Sequence, residues 1–205
     1  MFKKSLSFLR RKFGHYIAEN DGVAAIEFVF VAPVMIAMYF GLAEISTAIE
    51  ADRRVSHATN VAGDLTTQFD AVTADDLSDI MTAANLIVGT TTTKINDVKI
   101  ELASFSRDPV SGAVIPLGKA SLNGTLPPFD ASNLDDLILS DTSGVVVARL
   151  SFDYEPLKLR FLDTNITLRE TFLLKPRRSA AVEFGTTGTP TDFTCSIANG
   201  DVSCS

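Results

Sequence analysis

The sequence predicts an α+β protein: a long N-terminal transmembrane helix continuing into a periplasmic helix, followed by a mostly antiparallel β-sheet domain. Residues 22–43, GVAAIEFVFVAPVMIAMYFGLA, are apolar but for one charged residue, Glu27. Apolar residues then recur at helical spacing to about Gly89, after which the pattern turns to the alternation of strands. These changes divide the chain into a cytoplasmic leader (1–22), a transmembrane helix (23–45), an extracytoplasmic helical region (46–89), a β-rich domain (90–184) and a tail with a cysteine loop (185–205).

The 205 residues suffice for one soluble domain beside the membrane segment. Five of the 18 basic residues and two of the 25 acidic ones fall in the first 22 positions, which leaves the rest at 13 basic against 23 acidic. Such an acidic body argues against nucleic-acid binding. The basic leader, MFKKSLSFLRRKFGHYIAEND, lacks the small-x-small site that follows the apolar core of a secretory signal. By the positive-inside rule it stays in the cytoplasm, with the body on the far side of the membrane.

From Phe28 to Ala43 no residue is charged, and with Val23 to Ile26 the run is about long enough for a ~30 Å hydrocarbon core. Pro33 removes one backbone donor, which membrane helices tolerate where neighbours satisfy the freed carbonyl. Past Glu44, Ala48, Val55, Ala62 and Phe69 recur every seventh residue, with Ala51, Ala58 and Leu65 three positions on. A seam so narrow and so rich in alanine predicts packing on the chain's own domain, the alternative being a neighbouring chain. One helix from Ala24 to about Phe69 is expected, with Gly63-Asp64 as the point where it could end early.

Thr73 with Asp76 opens a second helix through a capping-box pattern, Leu77, Ile80, Met81 and Ala84 give it an apolar face, and Gly89 ends it. Thr91 to Phe105 alternates as a half-buried strand, with Val98, Ile100 and Leu102 on one side and Lys99 and Glu101 on the other. Asp108 to Gly112 is the turn into a strand at Ala113 to Leu122. Residues 123–143 read as a loop with one or two helical turns, including an amphipathic piece from Asn133 to Leu139. Gly144 to Tyr154 and Ile166 to Leu174 are the strongest strands, with Leu157, Leu159 and Phe161 alternating between them. Lys175-Pro176-Arg177-Arg178 closes the second of these, because proline cannot continue a central ladder. An edge strand at Ala180 to Phe184 and a turn-rich GTTGTPT link complete the expectation.

Catalytic chemistry is not signalled. His15 lies in the leader and His57 beside Arg53-Arg54, without a nucleophile pattern, a phosphate loop or a metal-binding histidine pair. No enzyme activity, cofactor or metal centre is expected. Asp75-Asp76 and Asp135-Asp136 read as solvated helix starts or as weak attractants for a divalent cation. Cys195 and Cys204, the only cysteines, fit a disulfide formed in an oxidising compartment, or else two reduced surface thiols.

Glu27 requires a partner or an interfacial position, since a carboxylate in a bilayer costs a few kcal/mol. Cleavage after Gly22 would give Val23 a free ammonium, four residues before Glu27 on the same helix face. A basic leader ending in Gly22, then Val23 to Ile26, Glu27, an aromatic residue and a long apolar helix resembles a class III prepilin signal. The run to Ile45, with Pro33, Gly41 and Glu44, resembles the TadE-like minor pseudopilins of tight-adherence (Flp-type) pili, as do Arg54, Tyr154-Glu155-Pro156 and Lys175-Pro176-Arg177 more loosely. The resemblance implies processing between Gly22 and Val23 by a prepilin peptidase and assembly through Glu27. Its implied partners are other major and minor pilins and the assembly machinery of a type IV pilus that serves cell adhesion. The alternative is an uncleaved single-pass envelope protein whose outer domain binds a ligand or a cell-wall component.

Overall fold

The computed structural model describes residues 21–89, 98–134, 138–139, 143–156, 166–186, 188–198 and 201–205. It is an α+β protein in which a long apolar helix precedes a β-rich body. Two compact units divide the chain, residues 1–46 and 47–205. Residues 1–20 of the leader, the first seven residues of the strand expected at Thr91 to Phe105, residues 135–137 of the piece expected from Asn133 to Leu139, and the alternation of Leu157, Leu159 and Phe161 lie outside the described residues.

Helix α1, Asp21–Thr66, runs for 46 residues with Pro33 inside it. Its part in the first unit is lined with exposed apolar side chains, among them Val23, Phe28, Phe30, Met35 and Leu42. Its part in the second unit follows the seven-residue seam: Ala51, Val55, Ala58 and Ala62 are buried, with Ala48, Leu65 and Phe69 packed beside them. The seam therefore packs on its own domain. The helix does not end at Gly63. A β-carbon there would meet Leu174 Cδ1 at 2.5 Å and Ala148 Cβ at 3.0 Å, so this glycine is a point of close approach between helix and sheet.

No basic residue occupies the last turn of α1. Arg177, distant in sequence, supplies the cation favoured at the negative end of a helix: its guanidinium pairs with Asp64 and its N–H donates to the Thr67 carbonyl. The chain then makes β1 (Ala71–Val72) and α2 (Ala74–Gly89). The start of α2 is a reciprocal cap, in which Thr73 N–H donates to Asp76 Oδ2 at 3.0 Å and Asp76 N–H donates to Thr73 Oγ1 at 3.3 Å.

The remaining elements are strands β2 (Val98–Arg107), β3 (Val114–Leu122), β4 (Val145–Tyr154), β5 (Ile166–Leu174), β6 (Glu183–Thr186), β7 (Thr189–Pro190), β8 (Asp192–Ala198) and β9 (Asp201–Cys204). A six-stranded sheet has the order β5-β4-β2-β3-β8-β9, and a small one the order β1-β6-β7. Every pairing in the large sheet is antiparallel except β3 with β8. Both helices cover one face of it, where Val98, Ile100, Leu102, Ala148, Leu150 and Val202 join the core of α1 and α2. Full burial of each valine, isoleucine or leucine side chain among these contributes about 1.5–3 kcal/mol. At the far end of β4, Tyr154 Oη donates to Thr47 Oγ1 of α1 at 3.1 Å.

The C-terminal segment departs from expectation. Residues 185–205 are no appended tail: β8 extends the large sheet through the edge of β3, and β9 closes a hairpin under α2, where Cys204 N–H donates to Ser78 Oγ at 3.1 Å. The strand expected at Ala180 to Phe184 falls at Glu183–Thr186 and lies in the middle of the small sheet, between β1 and β7, with Phe184 fully buried. Local alternation identifies a strand but not its partner: β8 joins β3 and β6 joins β1, each remote in sequence.

Candidate functional site

Two regions carry candidate chemistry, the N-terminal half of α1 and the face of the large sheet opposite the helices.

Gly22 and Val23 are the second and third residues of α1, and Glu27 follows one turn after Val23. All three are exposed, and nothing lies within 4 Å of a β-carbon placed on Gly22. Glu27 is the only charged side chain between residues 22 and 43. Among the described residues one helix is long and apolar enough to cross a membrane, and none of its most apolar window is buried. Proline 33 leaves the helix unbroken.

The cysteines are joined. Cys195 and Cys204 face each other across β8 and β9 with Cα atoms 4.1 Å apart, in the close pairing between hydrogen-bonded positions. Thr194 and Ser205 exchange both backbone bonds beside them, at 2.9 and 3.1 Å. Cys195 is buried.

His57 is exposed on α1, and Asp76 is engaged in the α2 cap. Among the described residues no group of three or more His, Cys, Asp or Glu side chains could hold a metal ion. Asp135-Asp136 lie outside the described residues. Asn123, whose side chain donates to the Val98 carbonyl at 2.9 Å, adopts a positive φ of 55° ahead of Gly124 and forms the turn out of β3.

On the sheet face away from the helices, Arg149 of β4 donates to Glu101 Oε1 of β2 at 2.8 Å. The two side chains are only 14% and 10% exposed. The Phe129 ring lies 5.8 Å from the Arg149 guanidinium and 5.9 Å from the Phe105 ring, so residues 123–134 arch over this face. A cleft of about 570 Å³ opens beside it. Its floor depends on Gly118, at φ 102°, where the pairing of β2 and β3 shifts register. A β-carbon at 118 would meet Phe184 Cβ and the Thr191 carbonyl at 2.6 Å. Sequence reasoning missed the pair and the cleft, because the partners are 48 residues apart and the sole local signal was the out-facing parity of Glu101.

No curated protein and no solved structure matches the chain. Residues 22–64 match a family model described as TadE-like protein, and the match begins at Gly22 and takes in Glu27, the apolar run and most of the helix beyond it. Over that segment, about a fifth of its length, the chain is similar to TadE-like proteins.

Proposed function

We propose that the chain is a minor pseudopilin of a tight-adherence pilus. It acts in assembly or initiation as a structural component and performs no catalysis. The apolar part of α1 anchors it in the inner membrane, with the basic leader cytoplasmic and the body periplasmic. A prepilin peptidase cleaves between Gly22 and Val23, and the mature helix then enters, or nucleates, the pilus among other pilins.

The observation that carries this reading is the family match that starts at Gly22 on a helix whose sole membrane carboxylate is Glu27. Cleavage would place a cationic amine on Val23, one helical turn from Glu27. Their pairing, within one chain or with an adjacent copy, would offset the cost of the carboxylate in lipid. The helix N-terminus favours the same charge. Intact-mass spectrometry of membrane and pilus fractions tests the processing step: the expected mature chain begins at Val23, and a chain retaining Met1 to Gly22 in assembled material would overturn it.

A further inference from the structure

The cleft on the sheet face opposite the helices is assigned no role by processing or assembly. Two walls of different character define it. Leu126, Pro128 and Phe129 of the arching segment, with Phe105 and Pro116, form an apolar wall; Lys119 and Asp192 stand on the other side. Between them the floor is reduced to Ala103 and Gly118, so the cleft reaches down to the sheet backbone beside Glu101. Its volume of about 570 Å³ suits a small molecule or a short oligomer.

The charges in and beside the cleft cancel. Arg149 holds Glu101 Oε1 at 2.8 Å, and Lys119 Nζ stands 3.7 Å from Asp192 Oδ2. With the charges balanced, the cleft offers neither an anion nor a cation a net field of opposite sign. Glu101, Asp192 and Thr125 line the cleft; Asp192 Oδ1 also accepts from the Lys119 N–H at 3.2 Å, and each carboxylate keeps lone-pair sites beyond these contacts for further donors. Carboxylates accept strong hydrogen bonds from neutral hydroxyls, and an aromatic wall takes the apolar C–H face of a ring. A ligand rich in hydroxyl donors, uncharged, and apolar on one face satisfies all of these.

We propose that this cleft binds a neutral saccharide, with its ring on the Phe129 wall and its hydroxyls on Glu101 and Asp192. The Phe129 wall and the Glu101 carboxylate are held before any ligand arrives, the ring over the Arg149 guanidinium and the carboxylate by the bond from it. The proposal stands on the body alone and requires neither cleavage at Gly22 nor assembly through Glu27.

The test uses the full chain in lipid nanodiscs, free of sugar-based detergents, titrated calorimetrically with chitotriose and maltotriose, and with trigalacturonate and pentalysine as charged probes. At least one of the neutral saccharides is expected to bind with a Kd in about the millimolar range or tighter. Asp192→Asn, at the exposed mouth, is expected to weaken that binding about tenfold by removing a charged acceptor. Ala103→Leu, which fills the floor, is expected to abolish it; should that variant fail to fold, Asp192→Asn decides. Absence of binding by both neutral saccharides, binding unchanged in Asp192→Asn, or preference for either charged probe would overturn the proposal, the last in favour of an ionic partner.

Discussion

Gly63 of α1 and Leu174 of β5 stand so close that a β-carbon on the glycine would lie 2.5 Å from Leu174 Cδ1, with Ala148 Cβ at 3.0 Å behind it. Glycine inside a helix costs about 1 kcal/mol relative to alanine, so this position trades helix stability for contact with the sheet. Gly63→Val should destabilise the body by about 1–3 kcal/mol through overpacking, and Leu174→Ala in the same chain should recover part of the loss. Urea unfolding of the single and double variants measures both. Equal or greater stability in Gly63→Val would show that helix and sheet are not packed as described.

The Glu101–Arg149 pair makes a second prediction. Removing the cation leaves a nearly buried carboxylate without its partner, so Arg149→Ala should cost about 3–5 kcal/mol. Replacing both, as Glu101→Leu with Arg149→Met, should cost much less, because neither charge then has to be desolvated. Denaturant midpoints for the two variants distinguish a desolvated pair from a solvent-screened one, for which both losses would stay below about 1 kcal/mol.

The disulfide closes a loop with a sequence separation of nine. Cross-linking so short a loop restricts the unfolded chain by roughly 2–3 kcal/mol in the entropy model. Cys195→Ser with Cys204→Ser should therefore lower the Tm by several degrees, and hydrogen exchange should rise first in β8, β9 and α2, which β9 supports through the Cys204–Ser78 bond. Protection unchanged in α2 would disconnect the cysteine hairpin from the helix.

Asp108, at the β2–β3 turn, accepts from the Val110 N–H at 2.8 Å and the Ser111 N–H at 3.4 Å. The Val110 backbone bond, then the Ser111 side-chain and backbone bonds, hold its carboxyl below the ordinary value of 3.8. A carboxyl lowered in the folded state contributes stability that is present above the unfolded value and is lost as pH falls through the folded one. An NMR titration should give Asp108 a midpoint below 3.8, with the Val110 amide shift following it. Asp108→Asn should remove that dependence.

Glu27 yields a prediction about assembly. Glu27→Gln keeps the size and a hydrogen-bonding oxygen but removes the charge, and an ammonium–carboxylate contact near a helix N-terminus is worth on the order of 1–2 kcal/mol. Recovery of the chain in sheared pili should fall about tenfold, while the Cys195–Cys204 disulfide still forms and the chain still reaches the membrane. Wild-type recovery would make Glu27 an interfacial residue with no part in assembly.

Elements whose cause is local are legible in the sequence. Uninterrupted apolarity marks the membrane part of α1, the seven-residue spacing of Ala48, Val55 and Ala62 marks its packed half, and Thr73 with Asp76 marks the start of α2. Each rests on a period or a cap formed within a few residues, where no distant contact competes. Gly22, Val23 and Glu27 stand out in the sequence as boundary residues of one continuous segment, and their roles in processing and assembly are proposals. Tertiary structure decided what depends on residues that meet only after folding. Strand β8 joins β3 in parallel, β6 lies between β1 and β7, and Arg177 supplies the helix-end cation that α1 lacks. Glu101 and Arg149 likewise meet only when β2 pairs with β4, and Gly118 is required only because Phe184 and Thr191 pack against it. Alternating hydrophobicity tells a strand which face to bury; which edge it joins is set by backbone hydrogen bonds and close packing between segments far apart in the chain.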